Sequence, residues 1–101
     1  MRFFLIFIIL SLITPLSFPQ SQRSLTNLYS NYLKGLLHAE KGEYLLGLEE
    51  LEKAKLRDPQ STHIRLKIAS VLIRLARFDE AEAVLKEAKT IDPDNLDISL
   101  A

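Results

Sequence analysis

Two stretches of the chain end alike: Leu51-Glu52-Lys53-Ala54-Lys55-Leu56-Arg57-Asp58-Pro59 and Leu85-Lys86-Glu87-Ala88-Lys89-Thr90-Ile91-Asp92-Pro93. Proline has no N–H to donate, and it disfavours helix in the residue before it, so each Asp-Pro predicts a helix stop. The two stops stand 34 residues apart. Laying residues 28–61 on 62–95 aligns five identities: Leu51/Leu85, Ala54/Ala88, Lys55/Lys89, Asp58/Asp92 and Pro59/Pro93. The similar pairs Gly35/Ala69, Tyr44/Phe78 and Gly47/Ala81 fall in the same register. These matches sit at helix ends and at small-residue positions, where a stacked helix–turn–helix unit needs them.

Working outward from the stops, four helices follow. Leu25, Leu28, Tyr29, Tyr32, Leu33, Leu36 and Leu37 keep the i, i+3, i+4, i+7 spacing of one helical face. Ser24 is a candidate N-cap for this segment, and Gly42 a candidate left-handed residue beyond its end. The second helix is expected from Tyr44 to Arg57, with Tyr44, Leu48, Leu51 and Ala54 along one side. A third is expected from His63 to Ala76. It has two apolar stripes, Ile64/Ile68/Val71/Leu72/Leu75 and Leu66/Ala69/Ile73/Ala76, and therefore calls for neighbours on two faces. The fourth is expected to begin at Asp79, with Asp79 and Glu82 as a capping pair, and to run to Ile91. No segment alternates with period two for more than a few residues, so no strand is expected.

The N-terminus is of another kind. Arg2 precedes the apolar run Phe3-Phe4-Leu5-Ile6-Phe7-Ile8-Ile9-Leu10, and no further charge occurs before Arg23. A charged start and roughly a dozen apolar residues describe a secretory signal over residues 1–21, whereas a bilayer-spanning helix asks for about 20 residues. Pro15 and Pro19 stand where small residues are preferred at a cleavage site, which leaves an uncleaved N-terminal anchor as the alternative. Without the leader, residues 22–101 hold 12 basic and 13 acidic side chains, a formal charge of −1. That balance gives no electrostatic reason to expect nucleic acid as partner. The chain has no cysteine, so disulfides, a thiolate nucleophile and thiolate metal sites are excluded.

In the second unit Arg77-Phe78-Asp79-Glu80-Ala81-Glu82, with Ala88 and Asp92-Pro93, resembles the B helix of the tetratricopeptide repeat family. Gly35, Gly42, Tyr44, Leu51, Ala54 and Asp58-Pro59 carry the likeness in the first unit. The resemblance covers units 28–61 and 62–95, with residues 22–27 as a leading helical extension and 96–101 as the opening of a third unit. It implies an all-α fold, helix–turn–helix repeats stacked as a short right-handed α-solenoid. The family's large aromatic at the fourth unit position is here Asn31 and then Arg65, and an apolar position is Lys34. Lys34 is acceptable if unit one is the N-terminal cap, which needs a polar outer side. Ala76 stands in unit two where unit one has Gly42. An alanine forced into a left-handed turn costs on the order of 1 kcal/mol.

The resemblance also implies where a partner would sit: in the concave groove lined by the first helix of each unit. Position by position this gives Tyr29, Tyr32, Leu36, Ala39 and Glu40, then His63, Leu66, Ser70, Ile73 and Arg74, with Lys67 at the margin. Tyr and Arg are frequent energetic anchors at interfaces. The lysine and asparagine with which some relatives grip a carboxylate are replaced by Tyr32 and Leu36, which disfavours a chaperone-adaptor role.

Catalysis is not expected. His38 reads as a packing residue and His63 as a surface or groove residue, and no nucleophile or phosphate-loop motif is present. Asp92, Asp94 and Asp97 lack the glycine turn and distal glutamate of a calcium loop. Glu40, Glu43, Glu49, Glu50 and Glu52 read as a solvated face. The expectation is therefore an exported scaffold for a peptide or protein partner, with no metal or cofactor. The membrane would be met only through an uncleaved N-terminal segment. Self-association through the second repeat is an open option, and the alternative is the N-terminal repeat part of a longer exported enzyme or envelope assembly factor.

Overall fold

The computed structural model describes residues 20–95, which form four helices: α1 (Gln20–Glu40), α2 (Tyr44–Arg57), α3 (Thr62–Arg74) and α4 (Phe78–Ile91). Most of the expected leader and the opening of a third unit at 96–101 lie outside the described residues. No strand occurs among the described residues. α1 packs on α2, α3 on α4, and α2 on α3, so the two helix hairpins are stacked into an all-α repeat.

Identical turns build the hairpins. At the end of α1 the Glu43 N–H donates to the His38 carbonyl at 2.8 Å, and the Gly42 N–H donates to that of Ala39 at 3.1 Å. At the end of α3 the Arg77 N–H donates to Leu72 at 2.9 Å, and the Ala76 N–H to Ile73 at 3.0 Å. Both are Schellman closures, which demand a left-handed residue just past the cap. Gly42 takes it at φ 81° without penalty, and Ala76 takes it at φ 59° with its Cβ crowded against the backbone. The second turn is thus the same shape as the first, and strained. The stops at Asp58 and Asp92 close on the carbonyls of Ala54 and Ala88.

Two expected helix starts differ. α1 runs through Ser24 rather than being capped by it, because Gln20, Gln22 and Arg23 are adequate helix formers. α4 starts at Phe78 with Arg77 as its N-cap residue and no side-chain cap. Asp79 is therefore inside the first turn, where its charge still favours the helix N-terminus. The side-chain cap that does form is Ser61, whose Oγ accepts the Ile64 N–H at 3.2 Å.

The core runs through both hairpins: Leu51, Ala54, Ile68 and Ala88 are fully enclosed, with Leu48, Ile64, Ala69, Val71, Leu72 and Ala81 buried around them. The first stripe of α3 faces this core. The second is only half covered, since Ala69 is buried while Ile73 is 46% exposed.

The two positions without the family aromatic carry polar staples instead. Asn31 donates to Glu50 at 2.7 Å and accepts from Arg57 at 3.1 Å, tying α1 to α2. Arg65 is buried at 8% exposure, reaching Glu87 on α4 at 3.3 Å and the Ser61 carbonyl at 3.2 Å. Glu50 is consequently not part of a solvated face. Its bond from Asn31 holds its carboxyl below the ordinary value, and Lys53 adds to that.

Candidate functional site

α1 and α3 lie side by side through the stacking of the hairpins, and three adjoining hollows open along them. The first, about 170 Å³, is bounded by Leu28, Tyr29, Tyr32 and, across the helix junction, His63 and Ile64. The second, about 440 Å³, lies over Leu36, Ala39, Tyr44 and Leu51, with Lys67, Ser70 and Arg74 on its far wall. The third, about 820 Å³, is the far side of the same wall: Leu66, Lys67, Ser70, Ile73 and Arg74 face Phe78 and Leu85. His63 lines the first and third, so the hollows form one surface.

All eleven residues assigned to the groove from the sequence line these hollows: Tyr29 and Tyr32 the first, Leu36, Ala39 and Glu40 the second, Leu66 and Ile73 the third, and His63, Lys67, Ser70 and Arg74 shared walls. Lys67 is central, not marginal, because it stands between the two larger hollows. The ring of Tyr32 tilts against that of His63 with centroids 5.6 Å apart. Burial there holds the Tyr32 phenol above its ordinary value, so it remains a neutral hydrogen-bonding group on an apolar wall. Tyr29 is 63% exposed and open to a partner.

Sequence reasoning missed the contribution of the second helices. Phe78, 62% exposed, and Leu85 complete the largest hollow from α4. The signal was present in the alignment of Phe78 with Tyr44 and of Leu85 with Leu51. In unit one α3 packs over Leu51 and leaves it fully buried; in unit two the equivalent surface is open.

His38 is half-exposed rather than packed, with Nδ1 3.4 Å from Glu43 Oε1 across the Gly42 turn. The Schellman turn brings together residues five apart, a spacing that a helical search misses. Among the described residues no three metal-ligating side chains stand together, and no helix is long and apolar enough to cross a membrane. The groove combines apolar walls, the three phenols of Tyr29, Tyr32 and Tyr44, and cations on one ridge.

A family model described as tetratricopeptide repeat matches residues 38–101. No curated protein and no solved structure matches the chain.

Proposed function

The chain belongs to the tetratricopeptide repeat family, and from that premise we propose that it is an exported scaffold that holds a peptide or protein partner in the groove along α1 and α3. Repeats of this family typically act as non-catalytic platforms for protein–protein interaction. The observation that carries the groove reading is the continuity of the three hollows, which share His63, Lys67, Ser70 and Arg74 as common walls. Apolar walls with a few polar anchors are what recognition of a chain segment requires. If a partner is bound there, Tyr32→Ala and Arg74→Ala each weaken it by about 1 kcal/mol or more. Equal binding by both variants would move the partner to another face.

Export rests on Arg2 and the apolar run that follows it. Cell fractionation with N-terminal sequencing tests it: a shortened product outside the cytoplasm supports a cleaved signal, and a full-length membrane-bound one selects the anchor. A full-length soluble cytoplasmic product overturns export.

A second reading, in which these repeats open a longer exported enzyme or envelope assembly factor, is favoured by the uncovered surface of unit two. Phe78 and Leu85 occupy the places of Tyr44 and Leu51, on which α3 rests in unit one. A further helix, or a second copy of the chain associating through the second repeat, would cover them.

A further inference from the structure

The ridge between the two larger hollows carries an unanswered charge. Many of the described cations meet carboxylates: Arg65 reaches Glu87, Lys53 reaches Glu49 and Glu50, Lys55 reaches Glu52, Arg77 pairs with Glu80, and Lys86 reaches Glu82. Lys34, Lys41 and Lys89 make no ion pair among the described residues, but unlike Lys67 and Arg74 they do not line the two larger hollows. Neither Lys67 nor Arg74 makes an ion pair or side-chain hydrogen bond with any described residue. Of the residues lining the two hollows, Glu40 is the one carboxylate, and the larger hollow has none. Ser70 stands between the two cations at helical spacing and adds a hydroxyl.

The spacing limits what can answer them. Lys67 and Arg74 are two turns apart on α3, about 10 Å along its axis. A segment in the polyproline II conformation covers that distance in about three residues, at ~3.1 Å each, and returns every third side chain to the same side. Between the cations, the wall falls into the apolar hollow of Leu66, Ile73, Phe78 and Leu85. Nucleic acid suits this surface poorly, since residues 22–101 carry a formal charge of −1 and the site's floor is aliphatic and aromatic.

We propose that the groove's occupant is an extended acidic segment of a partner protein. Two side-chain carboxylates about three residues apart meet Lys67 and Arg74, and an apolar side chain between them enters the hollow bounded by Phe78 and Leu85. This rests on the peptide-binding reading and adds the chemistry of the peptide. Charge complementarity supplies register and selectivity, and the apolar side chain supplies the buried contact.

The test is selection from a library of random twelve-residue peptides on the immobilised full chain in mild detergent, at low salt and again at physiological salt. The expected result is enrichment of peptides with paired Asp or Glu flanking an apolar residue. Lys67→Ala and Arg74→Ala should each weaken the best peptide roughly tenfold, a change equivalent to about 1.4 kcal/mol. Their circular dichroism melting curves should match that of the unaltered chain. The double reversal Lys67→Glu/Arg74→Glu should enrich basic peptides instead. Enrichment of peptides without acidic residues overturns this inference and leaves peptide binding standing. Failure to enrich any peptide overturns both, and with a concentration-dependent sedimentation coefficient it assigns the hollow to a second copy.

Discussion

Gly35 and Gly47 face each other where α1 crosses α2: a Cβ on Gly35 would stand 3.2 Å from the Gly47 carbonyl oxygen, and one on Gly47 3.0 Å from that of Gly35. A methyl on Gly35 would also meet Leu51 Cγ at 2.7 Å, in the centre of the core. Alanine is the better helix former by about 1 kcal/mol, but overpacking of this kind costs about 1–3 kcal/mol. Crowding wins, because Leu51 is fully enclosed and carbonyl oxygens cannot step aside. Gly35→Ala and Gly47→Ala are each expected to lower stability by about 1 kcal/mol or more in denaturant titration.

The same crossing in unit two is made by Ala69 and Ala81, both buried, and there the unfavourable glycine position has moved to the turn. Ala76 sits at φ 59° where unit one has Gly42. Ala76→Gly should relieve about 1 kcal/mol of backbone strain and raise the melting temperature by about 4–8 °C for a domain of this size. An unchanged or lower melting temperature would show that the turn carries no strain.

Arg65 joins α3 to α4 from a buried position. Replacing it with alanine removes a charge-assisted bond to Glu87 and leaves the Ser61 carbonyl without that donor, at a cost of about 1.5–3 kcal/mol. Glu87→Gln, which keeps an acceptor on a largely exposed side chain, should cost less than 1 kcal/mol, the scale of an exposed ion pair.

The Asn31–Glu50 bond predicts a pH dependence. The carboxyl of Glu50 is held below its ordinary value chiefly by the bond from Asn31, so the folded state binds this proton less readily than the unfolded chain. Its contribution is complete above the ordinary glutamate value of about 4.3 and is lost as pH falls through and below it. Asn31→Ala should therefore flatten the fall in stability below about pH 4.3 while lowering the plateau near neutral pH. Parallel acid-unfolding curves for the two proteins would show that this bond does not tune Glu50.

The stops at Asp58-Pro59 and Asp92-Pro93, the span of α2 and the left-handed residue at Gly42 were legible because each depends on neighbours in sequence. What Asn31 and Arg65 do was not legible: as departures from a family pattern they stood out, but their partners Glu50 and Glu87 lie 19 and 22 residues away on the opposing helix. His38 with Glu43 was hidden for another reason, since their spacing is set by a turn and not by helical period. The groove residues of α1 and α3 followed from the repeat register. Phe78 and Leu85 did not: their alignment with Tyr44 and Leu51 marked them as surface for a neighbour, but the packing of α4 on α3 is what makes that surface a wall of the largest of the three hollows.

The central claim is that the partner is held along α1 and α3 and not on the outer face. Photo-cross-linking residues placed singly at Leu36, which lines the middle hollow, and at Leu56, which is 80% exposed on α2, separate the two directly. In living cells the account predicts a discrete cross-linked adduct from Leu36, diminished by Arg74→Ala, and none from Leu56. An adduct from Leu56 alone, or one from Leu36 that persists undiminished in the Arg74→Ala background, would contradict it.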